Sequence, residues 1–277
     1  MQSDRPSATA TFVAFLRALG STDLVTLDKV ADPVAQRLMP PHWGRLMQQL
    51  SNFPTPLQRT LWWTTLGGFD TMALRTRAID EALASFPGQQ IVILGAGLDG
   101  RAWRLERLRD ARVFEVDHPA TQARKVAGLR GVPPLAREVQ FVPVDFERDS
   151  LAGALTNAGH RSDVPTFWLW EGVTMYLARP AIQSTLATIA GRSMSTSQLA
   201  MTYLEPSARC RLVGWQAGLL GEPFRGLFHT EEIAALLEEA GLALTSDTGA
   251  GEWAQQWGRK HPLGLFYLER LALAETR

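Results

Sequence analysis

Two glycines separated by one residue follow a short apolar run in this 277-residue chain. The run extends from Ile91 to Leu94, and the sequence continues G-A-G-L-D-G from Gly95 to Gly100. A buried strand that ends in a glycine turn lets the backbone bend sharply, and it lets a ligand approach main chain that carries no side chain. The stretch therefore predicts a nucleotide-type site at the carboxyl end of the first strand of a parallel sheet.

The same six residues satisfy the G-x-G-x-x-G pattern of dinucleotide-binding dehydrogenases. Asp99 argues against that class, because its carboxylate would lie where a pyrophosphate meets a helix N-terminus and like charges repel. S-adenosylmethionine carries no phosphate, so an acidic residue at this position does not disfavour it. The remaining alternative is a tight turn that binds no ligand.

Acidic residues follow three later apolar runs at the points where predicted strands end. Asp117, Asp145 and Glu171 each come directly after such a run. Asp117 also lies 20 residues beyond Gly97, the usual interval for a carboxylate that accepts hydrogen bonds from ribose hydroxyls. One acid at a strand end is often only a helix cap, but three in register with a glycine turn indicate a ligand crevice.

Strands and helices alternate along the chain from residue 89 onward. Such alternation is typical of an α/β protein with a doubly wound, parallel, Rossmann-like sheet. After Asp99 we predict a helix with Trp103, Leu105 and Leu108 facing inward. The other helices are predicted at 119–129, 150–158, 180–190 and 230–240, and the strands at 91–94, 112–116, 139–144, 166–170, 198–204, 242–246 and 264–271.

The residues before the first strand predict helices at 7–20 and 32–38, and a helical segment at 57–86. Gly67-Gly68 interrupts that segment, so its second helix is expected from about Asp70 to Ser85. Residues 41–56 show no clear periodicity. Because this region is too apolar for a disordered tail, we expect residues 1–88 to form a helical cap on a core of residues 89–277.

Residues 205–229 interrupt the strand-helix alternation and are predicted to form a substrate lid. Their apolar side chains could line a pocket, form a lid or belong to the core, and we favour a pocket or lid. The residues concerned are Trp215, Leu219, Leu220, Phe224 and Phe228. Together with Trp43, Trp62 and Trp63 upstream, they favour an apolar or aromatic substrate.

The composition excludes several classes of protein. Lys plus Arg and Asp plus Glu both total 28, so the formal net charge of zero favours neither nucleic-acid nor membrane-surface partners. Cys210 is the only cysteine, so no internal disulfide can form, and a small buried side chain is expected there. The N-terminus does not resemble a signal peptide, and no apolar run reaches the roughly 18 residues of a membrane span. We expect a cytoplasmic protein without a metal.

Five stretches of the chain resemble the bacterial branch of the leucine carboxyl methyltransferase family, which are class I S-adenosylmethionine-dependent O-methyltransferases. The stretches are S-A-T-A-T-F-V-A-F-L-R-A, V-I-L-G-A-G-L-D-G-R-A-W-R-L, F-E-V-D-H-P-A-T-Q-A-R-K, F-V-P-V-D-F-E and W-L-W-E-G-V-T-M-Y-L. The resemblance spans nearly the whole chain. It implies a sheet of seven strands whose last strand, at about 264–271, runs antiparallel to the others.

The resemblance also implies roles for individual residues in binding S-adenosylmethionine. The sequence departs from the family at Gly100, where a Thr or Ser is usual, so a hydroxyl contact or cap is missing there. Arg17 is a further candidate from the first helix. The implied cofactor contacts are Gly95 and Gly97 to the methionine portion, Asp117 to the ribose, Asp145 and Phe146 at the adenine edge, Glu171 at the amino-acid end and Arg75 at the carboxylate.

The methyl acceptor determines whether a general base is needed. A carboxylate is already ionised at neutral pH, whereas a phenol or alcohol needs a base such as histidine. None of the five histidines stands in an obvious base motif, and His118, beside Asp117, is interpreted as a local structural contact. Tyr176 and Tyr203 are candidates for positioning a substrate oxygen, although a buried tyrosine with a satisfied hydroxyl is equally compatible with the pattern.

We therefore predict O-methylation of a carboxylate, on a small molecule or a peptide terminus, to give a methyl ester. One alternative is O-methylation of a phenol or alcohol. Another is a cofactor-binding protein with a different or lost activity, for which Gly100 gives slight support.

Overall fold

The fold is built on one sheet of seven strands. The computed structural model describes residues 8–20, 32–64, 70–219, 221, 223–257 and 267–276. The strands are β1 (Gln90–Leu94), β2 (Arg112–Asp117), β3 (Glu138–Pro143), β4 (Thr166–Trp170), β5 (Gln198–Leu204), β6 (Leu242–Gly249) and β7 (Glu269–Thr276). The described helices are α1 (Ala8–Leu19), α2 (Pro33–Leu38), α3 (Pro41–Ser51), α4 (Thr55–Thr64), α5 (Asp70–Ser85), α6 (Arg101–Arg104), α7 (Pro119–Gly128), α8 (Leu151–Asn157), α9 (Arg179–Gly191), α10 (Ala208–Leu219), α11 (Thr230–Glu239) and α12 (Ala250–Trp257). None of these helices is long and apolar enough to cross a membrane.

The strand order confirms the predicted fold class. The order is β3-β2-β1-β4-β5-β7-β6. The neighbours from β3 to β5 pair in parallel, and β7 runs antiparallel to both β5 and β6. The order reverses beside β1, and in open α/β sheets a ligand crevice forms at such a point, outside the carboxyl ends of the strands.

The two faces of β1 contribute to two separate hydrophobic clusters. Ile91 and Ile93 pack in one cluster with α1, α2 and α5, whereas Val92 and Leu94 pack in the other with α8, α9 and α11. Side chains alternate between the faces of a strand, so the continuous apolar run serves both clusters. The N-terminal helices therefore share a core with one face of the sheet.

The N-terminal region matches the prediction in four helices and differs in one, and α4 covers the first part of the helical segment predicted at 57–86. The predicted helices at 7–20, 32–38 and 70–85 correspond to α1, α2 and α5. Residues 41–51 form α3, for which no helix was predicted. Pro41 is the first residue of that helix, where a proline costs no hydrogen bond, so the Pro40-Pro41 pair ends one helix and begins another. Gly67-Gly68 lies outside the described residues.

Several elements near the sheet depart from their predicted bounds, and β6 continues to Gly249 instead of ending at residue 246. The helix after Asp99 is only the four residues of α6, followed by a short 3₁₀ turn at Glu106–Leu108. Trp103 and Leu108 are nevertheless buried, as predicted. The last strand begins at Glu269 rather than at 264, and residues 264–266 lie outside the described part of the chain.

Candidate active site

The glycine turn after β1 has a backbone that only glycine adopts without strain. Gly95 and Gly97 have φ values of +66° and +50°, in the left-handed region. A Cβ on Gly95 would overlap Cγ2 of Val173, which lies directly over the turn. Both glycines line a cavity at the carboxyl ends of β1, β2 and β4.

Asp117 lies at the end of β2 and is held by backbone amides. Its Oδ1 accepts a hydrogen bond from the backbone N of His118 at 2.6 Å, and its Oδ2 accepts one from the backbone N of Gly97. Burial raises the pKa of Asp117 above its ordinary value, although these two hydrogen bonds act in the opposite direction. Asp117 lines the cavity at the position where the resemblance places the ribose.

Glu171 directly follows β4 and lies among three guanidinium groups. Its Oε1 is 2.6 Å from Nη2 of Arg17 and 2.7 Å from Nε of Arg75, and its Oε2 is 2.6 Å from Nη1 of Arg101. Burial by itself would raise the pKa of Glu171, but the three arginines outweigh it and hold that pKa well below its usual range. Glu171 is therefore ionised at neutral pH.

Further carboxylates complete this ionic network. Nη1 of Arg75 donates to both oxygens of Glu269 on β7, at 2.7 and 2.9 Å. Nε of Arg101 donates to Asp80 on α5 at 2.7 Å. Arg17 and Arg75 also line the cavity, whereas Glu269 does not belong to its lining. The network thus presents two arginine side chains to the ligand site.

Asp99 belongs to the same network, which corrects one argument made from the sequence. Its Oδ1 accepts from the backbone N of Arg101 at 2.7 Å, and its Oδ2 pairs with the Arg101 side chain. Nη2 of Arg17 is 3.8 Å from the same carboxylate. Asp99 is buried outside the cavity lining and paired with arginines, so its carboxylate does not face a ligand in the cavity as the sequence argument assumed.

At Gly100, where the family usually carries Thr or Ser, the start of α2 packs too closely for a side chain. A Cβ at Gly100 would lie 2.5 Å from Oδ1 of Asp32 and 2.9 Å from Cβ of Val34. Asp32 is the N-cap of α2 and accepts from the backbone N of Ala35 at 2.9 Å. A Thr or Ser at this position would displace that cap.

The predicted adenine edge lies at the rim of the same cavity. Asp145 and Phe146 both line it, just beyond the end of β3. Oδ1 of Asp145 accepts from the backbone N of Glu147 at 3.0 Å, which fixes the turn that carries Phe146. The Phe146 ring packs partly against the core, so it offers one apolar surface to the cavity.

The two candidate tyrosines occupy different environments. Tyr176 lines the cavity and packs edge-on against Phe224, with ring centroids 5.6 Å apart. Tyr203 is fully buried, and its hydroxyl donates to Oδ2 of Asp247 at 2.7 Å. Burial raises the pKa of Tyr203 above its ordinary value. The structure therefore does not bring Tyr203 to the cavity, because Asp247 and Arg270 hold its hydroxyl elsewhere.

The other candidate residues have structural contacts. His118 lines the cavity and its Nδ1 accepts from the backbone N of Ala120 at 3.3 Å, as the N-cap of α7. Burial raises the pKa of the Cys210 thiol to about 11, which leaves it protonated. Within the described residues, no group of three or more His, Cys, Asp or Glu side chains is arranged to hold a metal.

The segment predicted as a lid packs beside the cavity. No described side chain of residues 205–229 belongs to the cavity lining; Phe224 contacts Tyr176, and Phe228 is buried in the core. Trp215 is 64% exposed. Upstream, Trp43 packs on Phe15 of α1 instead of facing the cavity. The side chains of Leu219, Leu220, Trp62 and Trp63 lie outside the described part of the structure.

Known proteins share this sequence pattern and fold. Residues 10–190 match the leucine carboxyl methyltransferase family. A protein of Mycolicibacterium gilvum (strain PYR-GCK), named for S-adenosyl-L-methionine-dependent methyl transfer, is 36% identical over 228 residues, which are 79% of this chain and 72% of that protein. A protein of the same name from Mycobacterium sp. (strain KMS) is 32% identical over 274 residues, which are 93% of this chain and 89% of that protein.

A solved structure extends the comparison to the fold. The crystal structure of a DUF574 family protein from Streptomyces avermitilis superposes with a TM-score of 0.60 at 15% identity. The match covers 95% of this chain and 97% of that protein chain. At that identity the likeness concerns the fold alone. The family match and the relatives go further: the chain belongs to the leucine carboxyl methyltransferase family and is an S-adenosylmethionine-dependent methyltransferase.

Proposed function

We propose that the enzyme methylates a carboxylate, on a small molecule or a chain terminus, and forms a methyl ester. The observation that carries the proposal is the hydrogen bond made by the His118 ring. Among the described residues that line the cavity it has the sole imidazole, and Nδ1 of that ring already accepts from a backbone amide. A carboxylate acceptor needs no base, because it is ionised at neutral pH.

The cavity residues fit the cofactor at each position that the resemblance implies. Gly95 and Gly97 line the cavity with main chain that bears no side chain, and Asp117 presents a carboxylate suited to ribose hydroxyls. Asp145 and Phe146 would hold the adenine edge. When bound, the cofactor supplies an electrophilic methyl group on a sulfonium. The protein contributes mainly orientation, which recovers roughly 7–11 kcal/mol of the barrier in well-aligned reactions.

The ionic network suggests how the amino-acid end of the cofactor is held. Arg75 lines the cavity, and Nη1 of its guanidinium approaches the turn at Gly172, where a Cβ would lie 3.4 Å away. We assign Arg75 to the cofactor carboxylate, with Arg17 as a second cation. Glu171 holds both arginines in place, so its charge is largely satisfied by the protein before any ligand binds.

The cap and the acceptor pocket form part of the same proposal. Val13 and Arg17 of α1 line the cavity, so the N-terminal helices close it from one side. Val173, Tyr176 and Leu177 form a largely apolar part of the lining, and we assign Tyr176 to positioning an acceptor oxygen. We therefore expect an acceptor with an apolar body and a carboxylate.

Product chemistry tests the proposal directly. The enzyme is incubated with cofactor carrying a labelled methyl group and a library of apolar carboxylic acids, and products are treated with mild alkali. A methyl ester releases labelled methanol, and its rate of formation stays nearly flat from about pH 6 to 8. An alkali-stable product whose formation rises across that range contradicts the carboxylate assignment.

The presence of His118 at the cavity favours one alternative, methylation of a phenol or alcohol. While Nδ1 accepts from the backbone N of Ala120, the neutral ring carries its proton on Nε2, so His118 could act as a base only if Nδ1 left the helix cap to take the acceptor proton. His118→Asn distinguishes the two reactions, because asparagine retains the capping role and removes the base. A carboxylate acceptor predicts an unchanged kcat, whereas a loss of about 10²-fold or more indicates general base catalysis.

A further inference from the structure

Glu269 is a buried carboxylate at the start of β7 that the sequence did not single out. It is 4% exposed, although it is the first residue of its strand. Both of its oxygens accept from one nitrogen of Arg75, the arginine that lines the cavity. Because Arg75 lines the cavity and Glu269 does not, any effect of Glu269 on a ligand passes through this pair.

A second contact ties Glu269 to the turn at the end of β4. The backbone N of Gly172 donates to Oγ1 of Thr202 on β5 at 2.8 Å. The Thr202 side chain lies beside the Glu269 carboxylate and acts against the burial that raises the pKa of Glu269. Because Gly172 follows Glu171 directly, Glu269 and Glu171 are connected through three adjacent strands as well as through Arg75.

The two carboxylates hold different parts of the Arg75 guanidinium. Glu171 lies 2.7 Å from Nε without the alignment of a hydrogen bond, whereas Nη1 donates to both oxygens of Glu269, so Glu269 supplies directed bonds that orient the group. Glu171 is also shared with Arg17 and Arg101. Without Glu269, only an already crowded carboxylate would orient Arg75, and the planar group would be free to turn toward it.

We propose that Glu269 is a positioning residue for cofactor binding. It holds Arg75 at the angle at which the guanidinium meets the cofactor carboxylate, so the antiparallel last strand sets cofactor affinity without lining the cavity. This inference rests on the proposed role of Arg75.

The test is a double-mutant cycle on cofactor affinity, measured by calorimetry with S-adenosylmethionine. Glu269→Gln keeps the shape of the side chain and should weaken binding about tenfold, because a charge-assisted bond that orients Arg75 is lost. Arg75→Lys removes the planar fork and should weaken binding at least as much. If Glu269 acts through Arg75, the double variant binds no more weakly than Arg75→Lys alone. The matched control is Glu275→Gln, a change on the same strand at an exposed residue bonded to Gln198.

The possible outcomes distinguish this inference from the proposed role of Arg75 on which it rests. Unchanged affinity in folded Arg75→Lys removes the assigned role of Arg75 and the inference with it. Weaker binding by Arg75→Lys but not by Glu269→Gln overturns only the role of Glu269, as do additive effects in the double variant. At saturating cofactor, kcat should change less than about twofold in Glu269→Gln, since the residue touches no reactant. Should Glu269→Gln fail to fold, Glu269→Asp retains the charge but shortens the reach, and unchanged affinity there overturns the inference.

Discussion

Asp117 and Glu171 have the same sequence signature and opposite electrostatic environments. Each comes at or just after the end of a strand that borders β1, and each lines the cavity. Asp117 is held by two neutral backbone amides, and burial raises its pKa. Glu171 is surrounded by three guanidinium groups that hold its pKa well below the usual range, despite burial.

The difference follows from how far away in sequence the partners of each acid lie. The donors to Asp117 are its neighbour His118 and Gly97, which lies 20 residues away in the adjoining turn. Arg17, by contrast, is 154 residues from Glu171 and comes from a different helix. Asp117 is thus free to interact with a ligand, whereas Glu171 is first of all the centre of a protein network that supports ligand-binding arginines.

The largest expected effect is on stability, in Glu171→Gln. Removing one charge leaves three buried guanidinium groups without their shared partner, so the free energy of unfolding should fall by about 3–5 kcal/mol. Denaturant titration of the cofactor-free protein measures this. Asp163→Asn is the control, since its pair with Arg161 is exposed and should leave stability unchanged. A loss in Glu171→Gln no greater than in the control would mean that the network is not held by Glu171.

The next effect concerns the turn on which Asp117 depends, in Gly95→Ala. The left-handed backbone costs an alanine about 1–2 kcal/mol, and the overlap with Val173 adds about 1–3 kcal/mol. Gly131→Ala has a similar φ of +78° but no atom within 4 Å of the added Cβ, so it shows the backbone cost alone. Equal unfolding free energies for the two variants would show that Val173 moves aside without cost.

The sequence predicted those parts of the site that depend on local chemistry. The strands around the crevice, the glycine turn and the acids at the strand ends follow from apolar runs, glycines and spacing, and the structure places them together. β4 and β5 have the predicted bounds. These features are set by a few consecutive residues, whose preferences act in the same direction as the final fold.

The parts that the sequence did not predict depend on contacts between distant segments. Arg101 reads as an ordinary surface arginine of a helix, yet it is 1% exposed because Asp80, Asp99 and Glu171 surround it. Glu269 lies in a segment whose strand was predicted five residues too early. Tyr203 lies next to the last residue of β5, but its hydroxyl is bonded to Asp247 on β6, beyond β7 in the sheet. No local pattern indicates these partners.

A smaller effect distinguishes ligand binding from stability at Asp117. Asp117→Asn should weaken cofactor binding about 10- to 150-fold, because charge-assisted bonds worth about 1.5–3 kcal/mol are lost. The unfolding free energy without cofactor should change by less than about 1 kcal/mol, since relief of burying a charge offsets a weaker bond to a backbone amide. Calorimetry and denaturant titration of one preparation give both numbers. Unchanged affinity would remove Asp117 from the cofactor site.

The smallest effect is a difference in sign between the two acids as pH falls. The folded-state pKa of Asp117 is raised, so its ionisation opposes folding at neutral pH and this penalty disappears as pH falls through that pKa. The folded-state pKa of Glu171 is lowered, so the contribution of its charge to stability is complete above the ordinary glutamate pKa and is lost only as pH falls below it.

Unfolding free energies of wild type, Asp117→Asn and Glu171→Gln, measured from pH 7 downward, test both directions, because other titrating groups cancel in the differences. The stability of wild type relative to Asp117→Asn should rise as pH falls, whereas its stability relative to Glu171→Gln should stay constant and then decline. If the two stability differences changed with pH in the same direction, the two acids would have similar electrostatic environments. That result would contradict the different partners seen in the structure.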